Sequence, residues 1–177
     1  ISMTRLLCIS GSLRKESYNT KLAHEAARAF GEAEVVHADL DLPLFNEDLE
    51  AEGLPEPVTR LMEQVKAADA IVIACPEYNK APPGVLKNAL DWLSRKRPLV
   101  TAGKPVAIVS ATAGMAGGQR TQFALVLMLM AFDVKLVANP EVFVGSASSK
   151  FGEDGRLSDE KTWEFLVKKM EALRAAI

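Results

Sequence analysis

The stretch Leu6–Thr20, LLCISGSLRKESYNT, constrains this chain more than any other. An apolar run, Leu6–Ile9, stops at Gly11 and gives way to the polar residues Ser12, Arg14, Lys15 and Ser17. Leu22, Ala23, Ala26, Ala27 and Phe30 then recur at helical spacing. The order is strand, loop, helix, with the helix N-terminus turned back on the loop. Unpaired amides and a partial positive charge at such an end suit a phosphate. The hydroxyls of Ser12, Ser17 and Thr20, the Asn19 amide and the Arg14 guanidinium add donors for a dianion. The stretch is not a P-loop: the GK[ST] ending is missing, and Glu16 stands where the second glycine would be. Nor is it GxGxxG, because Leu13 and Glu16 occupy the glycine positions. A Ser-capped helix after a surface turn accounts for the same residues and stands beside the phosphate reading.

Further along, apolar runs keep alternating with helical patterns. A short second strand, Ala33–Ala38, leads into a long connection, Asp39–Pro57, holding three prolines and several acids. A helix then starts near Pro57 with Val58, Leu61, Met62, Val65 and Ala68 on one face. In the connection, Leu42, Leu44 and Phe45 either pack on the domain or cover a ligand, and packing is the expectation. Ala70–Cys75 is the continuous apolar run of a strand covered on both faces. It ends at Pro76, which stiffens the turn and leaves Glu77, Tyr78 and Asn79 at the strand's carboxyl end. A helix with Val85, Leu86, Ala89, Leu90, Trp92 and Leu93 follows.

The strand Pro105–Ala111 again ends in a polar loop, where three glycines in five residues (Gly114, Gly117, Gly118) permit close backbone approach to a flat ligand. A flexible loop has the same composition. Phe123–Phe132, about ten residues, is far short of the roughly 20 of a membrane helix and is expected to be buried. Val134–Ala138 and Glu141–Val144 make a last strand broken at Asn139-Pro140. The C-terminal helix opens at Ser158 as N-cap and carries Trp163, Leu166, Val167, Met170 and Leu173 on its apolar face.

Five strands alternating with five helical segments predict one α/β domain with a parallel sheet over the 177 residues. Periodicity does not fix the strand order. In the order 2-1-3-4-5, however, the loops after the first, third and fourth apolar strands converge at the topological switch point. Loop one would supply phosphate donors and the other two rigid walls, a layout that fits a planar mononucleotide such as FMN.

Composition removes several alternatives. With Lys+Arg 21 against Asp+Glu 23 and no basic block, no nucleic-acid surface is expected. No CxxC or HxxxH spacing exists, so no metal site is expected. Cys8 and Cys75 lie in apolar runs and are expected as free buried thiols. His24 falls on the polar side of the first helix and His37 in the short second strand, both as ordinary surface or edge residues. The opening Ile-Ser-Met-Thr-Arg lacks a signal-peptide pattern, and Ile1-Ser2 look like a cloning remnant, so a cytoplasmic protein without a membrane segment is expected.

GSLRKESYN, PEYNKAPPGVLKNALDWLSR and SATAGMAGGQR together resemble the NAD(P)H-dependent FMN reductase family, closest to its bacterial quinone and chromate reductases. The likeness covers nearly the whole chain, including NPEVF and FGEDGRLSDE. It implies a flavodoxin-like three-layer fold. It also places Ser12, Arg14, Ser17, Asn19 and Thr20 at the FMN phosphate, and Pro76, Glu77, Tyr78 and Asn79 along the ribityl chain and ring. Ser110 and the Gly114–Gly118 loop, with Gly117, would hold the far edge.

The chemistry so implied is a ping-pong cycle in which NADH or NADPH delivers hydride to FMN and a quinone or other small acceptor, such as chromate, an azo compound or free flavin, takes the electrons. No general acid or nucleophile is assigned, and Tyr78 and Asn79 are the candidate assistants. Homodimers or homotetramers are implied, with the helices at 85–95 and 120–132 as contact surfaces. The chain departs from the family pattern at Lys80 and Ala81, beside the expected open face of the flavin, and at Glu16, which must turn to solvent or pair with Lys15 or Arg14. The rival reading is a flavodoxin-type electron carrier with no small substrate. A non-catalytic α/β domain whose loops are merely turns is a third.

Overall fold

The three apolar runs become the middle of one sheet. In a computed structural model that describes residues 3–177, so that the expectation for Ile1-Ser2 lies outside the described residues, β1 (Arg5–Ser10), β3 (Ala70–Ala74) and β4 (Pro105–Ala111) lie side by side. β2 (Glu34–Ala38) pairs on the outer side of β1, and β5 (Lys135–Leu136) on the outer side of β4. The order is therefore β2-β1-β3-β4-β5, with all pairs parallel. The last strand is indeed interrupted: β6 (Phe143–Val144) resumes the pairing with β4 beyond a cis Asn139-Pro140 bond.

Alternation along each strand sends side chains to two cores. On one face, Leu6, Cys8, Val72 and Val109 meet α1 (Tyr18–Phe30) and α6 (Glu160–Ala175) through Leu22, Phe30, Leu166 and Met170. On the other, Leu7, Ile9, Ile71 and Ile108 meet α3 (Glu56–Ala67), α4 (Gly84–Leu93) and α5 (Gln119–Leu129). A fully buried Leu or Ile contributes about 1.5–3 kcal/mol, so these two layers fix the sheet's register. Cys8 and Cys75 are both buried and free, and burial pushes each thiol up to about 12.

Three local expectations need correction. The long connection contains a short helix, α2 (Glu47–Ala51), that buries no residue and so leaves no periodic pattern. Asp159, not Ser158, caps α6: its carboxylate accepts from the Thr162 amide and hydroxyl, while the Ser158 hydroxyl donates to the Lys150 carbonyl. The apolar stretch Phe123–Phe132 is only half buried. It ends in a 3-10 turn (Met130–Phe132) and leaves Phe123, Leu127 and Met130 exposed. In the connection, Leu42 and Phe45 pack on the core, and Trp92 Nε1 donates to the Pro43 carbonyl at 2.8 Å. Leu44 stays 80% exposed.

The strand break is closed by an unusual group. Lys169 of α6 is buried, and its Nζ donates to the Val137 and Ala138 carbonyls at 2.6 and 2.8 Å, groups that β5 leaves without ladder partners. Burial lowers its pKa from 10.5 to about 8, against the opposing pull of Glu141. Between those two values the unfolded chain binds more protons than the folded one, so this group's contribution to stability rises with pH. Denaturant unfolding of the wild type should therefore gain free energy between about pH 8 and 10.5 relative to Lys169→Met. Parallel curves for the two proteins would mean that Lys169 does not titrate in that window.

Candidate functional site

Loop one runs from Gly11 to Ser17, between β1 and α1. Gly11 extends the β1–β3 pairing by donating to the Ala74 carbonyl at 2.9 Å. A Cβ at Gly11 would sit 2.8 Å from Pro76 Cδ, so glycine is what lets loop one approach loop two. Ser17 caps α1: its Oγ accepts from the Asn19 amide at 3.2 Å, and the residue is buried. The Thr20 and Ser10 hydroxyls are hydrogen-bonded to each other at 2.8 Å, and Ser12 Oγ accepts from the Arg14 amide at 3.2 Å. The Arg14 and Lys15 side chains are exposed. Glu16 turns to solvent, as the phosphate reading requires, but pairs with Lys21 at 3.1 Å rather than with Lys15 or Arg14.

Asn19 does something the sequence reading did not anticipate. Its Oδ1 accepts from the Ala111 amide at 3.0 Å and its Nδ2 donates to the Ala111 carbonyl at 2.8 Å. The side chain thus clamps the start of α1 to the end of β4 and is turned away from the phosphate role. Ser110 is likewise taken up inside. It is fully buried, donates to the Gly117 carbonyl and accepts from Gln122 Nε2 at 2.7 Å, so its hydroxyl supports loop three instead of facing a ring.

Loop two, Pro76–Pro83, folds as a tight turn. Tyr78 and Ala81 exchange both backbone hydrogen bonds, with Asn79 and Lys80 between them at φ 52° and 68°. Positive φ at both central residues is the hairpin turn that suits strand twist, and it pushes Tyr78, Asn79 and Lys80 into solvent. Glu77 at its base is nearly covered. One carboxylate oxygen meets Arg120 at 2.7 Å; the other, Oε2, is buried with no hydrogen-bond partner.

Loop three, Thr112–Gly118, is pinned to the segment after β6. The Ser146 amide donates to the Gly114 carbonyl and the Ala147 amide to the Thr112 carbonyl, both at 3.0 Å. Gly117 has φ 63°, and a Cβ there would lie 2.6 Å from the Phe143 carbonyl carbon. Gly118 starts α5 in the left-handed region, whereas Gly114 has open space around it.

The opening turn of α5 joins loops two and three, a role that sequence reasoning missed. Arg120 holds Glu77, Thr121 Oγ1 donates to the Pro76 carbonyl at 3.0 Å, and Gln122 bridges Ser110 to the Val142 carbonyl. The signal was visible as QRTQ, a polar start to an otherwise apolar helix. All three loops stand at the carboxyl ends of β1, β3 and β4, where the strand order reverses.

Such a sheet, with an anion-ready β1–α1 turn at the switch point, defines the flavodoxin-like class of mononucleotide-binding proteins. Within that class the chain belongs to the NADPH-dependent FMN reductase family, whose pattern matches residues 4–149. It is 43% identical to the NAD(P)H-dependent FMN reductase of Pseudomonas aeruginosa, over 96% of this chain and 93% of that protein. It is 37% identical to the quinone reductase of Escherichia coli, over 95% and 92%. Among solved structures, the flavoenzyme NAD(P)H:(acceptor) oxidoreductase FerB of Paracoccus denitrificans superposes with a TM-score of 0.87 at 33% identity, covering 97% of this chain and 95% of that one. The WrbA-like flavodoxin of Agrobacterium tumefaciens, at 15% identity and TM-score 0.65 over 99% and 98% of the two chains, shares the fold.

The residues present fit FMN. Loop one offers cations, first-turn amides and the Ser17 hydroxyl proton to a phosphate. Loop two offers a buried acceptor without a partner, Glu77 Oε2, that a ring or ribityl donor can satisfy. Among the described residues no cluster of three or more potential metal ligands occurs, and no helix is long and apolar enough to cross a membrane.

Proposed function

We propose that this chain is an NAD(P)H-dependent oxidoreductase that reduces quinones and similar small acceptors through FMN held where the three loops meet. The observation that carries the reading is that convergence at the β1/β3 switch point, with the loops tied to one another by Asn19, Thr121 and the Glu77–Arg120 pair. FMN, when bound, takes hydride from a reduced nicotinamide and passes two electrons to an acceptor. The protein's part is to hold and orient. Arg14, Ser17 and the first amides of α1 would take the phosphate, with Ser12 and Thr20 shaping the loop beneath it. Pro76, Glu77, Tyr78 and Asn79 would line the ribityl chain and ring, and the Gly114–Gly118 backbone would close the far edge. Tyr78, 52% exposed, offers a flat apolar face and a phenol donor beside the acceptor.

Self-association belongs to the same reading. Phe123 and Leu127 on α5 and Met130 in the 3-10 turn that follows recur at i, i+4 and i+7 and stand 50%, 70% and 78% exposed, a stripe that a second copy of the chain would cover in a dimer or tetramer. The free buried thiols of Cys8 and Cys75 fit a reducing compartment such as the cytoplasm.

The purified protein should be yellow, release FMN rather than FAD on denaturation, and consume NADH or NADPH when a quinone is added. FAD as the tightly held flavin would overturn the cofactor assignment. Bound FMN without any consumption of reduced nicotinamide would favour an electron carrier. Lys80, exposed at the tip of loop two, should favour anionic acceptors. Lys80→Ala should slow them by less than about tenfold and leave neutral quinones unchanged. Equal losses for both acceptor types would show that the side chain does something other than attract charge.

A further inference from the structure

On the far side of loop one, away from loops two and three, a groove of about 260 Å³ opens between α1 and the edge strand β2. The imidazoles of His24, from α1, and His37, from β2, stack across it with ring centroids 4.0 Å apart and planes 34° apart. Arg14 and Lys15 line the same groove, together with the hydroxyl-bearing Ser10, Ser12 and Thr20. Among the described residues, none of the four basic side chains is paired with a carboxylate.

Two imidazoles stacked in this way repel each other once charged. Burial and the neighbouring His24 hold His37 below the usual imidazole range. The one acid in the lining, Asp39 at the end of β2, accepts from the Asp41 amide at 2.9 Å. On the outer flank of His24, Glu16 pairs with Lys21 and Glu25 with Arg28, while Glu153, Asp154 and Arg156 line the next basin. The groove thus concentrates unpaired basic groups with hydroxyl donors and has little acid of its own to neutralise them.

We propose that this groove is a second anion site, one that binds a phosphomonoester dianion between His24, His37 and Lys15 while Arg14 is left to the cofactor's phosphate. Charge-assisted donors from an ammonium and two imidazoles suit a compact dianion, which would remove the repulsion between the rings. The same chemistry is carried by free phosphate and by the ribose 2′-phosphate of the nicotinamide substrate. The second source rests on the nicotinamide-dependent reading above; the first stands without it.

The chain has two histidines, so its imidazole C–H proton resonances form two titration curves, which His24→Gln assigns. The experiment uses protein loaded with FMN, so that the cofactor's own phosphate is in place, and titrates pH with added inorganic phosphate, 2′-AMP or adenosine. Phosphate and 2′-AMP should each raise the His37 pKa by about one unit, and adenosine should not. Lys15→Gln should weaken phosphate binding by up to about fivefold. Tighter binding of 2′-AMP than of phosphate would identify the nucleotide as the source, and equal binding the free ion; both support the site. The proposal is overturned if neither anion moves the histidine curves. It also falls if FMN loading alone moves them and added phosphate then does nothing, because the groove would then be the cofactor's phosphate seat.

Discussion

Asn19→Ala should destabilise the protein by about 2–4 kcal/mol, because it strips two buried backbone groups of their partners at once. The Ala111 amide and carbonyl both bond to the Asn19 side chain, at 3.0 and 2.8 Å, and Ala111 is buried at the mouth of loop three. At roughly 2–4 °C per kcal/mol for a domain of this size, the melting temperature should fall by about 5–15 °C. Because the clamp fastens α1 to β4, its loss should loosen the loops as a unit and weaken FMN and riboflavin alike. A phosphate ligand at this position would instead spare riboflavin. A variant that melts within about 1 °C of wild type would show that water replaces the clamp without cost.

Asn19 illustrates what could and could not be read from the sequence. Central strands were legible because Leu6–Ile9, Ala70–Cys75 and Pro105–Ala111 are continuous apolar runs, which only a sheet covered on both faces requires. The loops were legible because Gly11 and Pro76 follow two of those runs and Gly117 lies in the loop after the third, where chain segments must approach closely. What a polar side chain bonds to was not legible. Ser, Asn and Thr serve equally as phosphate donors, helix caps and backbone clamps, and only distance separates these roles. So Asn19 and Ser110 turned inward, while Arg120, Thr121 and Gln122 emerged as the groups that tie the loops together. Burial of α5 failed for a related reason. A helix apolar on every side reads as core, yet Phe123, Leu127 and Met130 face outward. Such a pattern records apolar content and does not say which faces the rest of the chain covers.

Ser17→Ala should weaken FMN binding by roughly 10- to 150-fold, the worth of one charge-assisted hydrogen bond of about 1.5–3 kcal/mol. The structure makes cap and donor compatible. Ser17 Oγ accepts from the Asn19 amide at 3.2 Å, which uses a lone pair and leaves the hydroxyl proton free. The residue is only 3% exposed, so that proton has little water to bond and gains from an acceptor at the loop. Losing the cap should separately cost the apoprotein about 1 kcal/mol of stability, seen as a lower melting temperature. Riboflavin, which has no phosphate, separates the two effects. Titrating both flavins against wild type and Ser17→Ala should show a large loss for FMN and almost none for riboflavin. Arg14→Ala should show the same preference with a smaller loss, since its side chain is exposed and solvated. An equal loss for both flavins in Ser17→Ala would remove the phosphate contact and leave Ser17 as the cap of α1 alone.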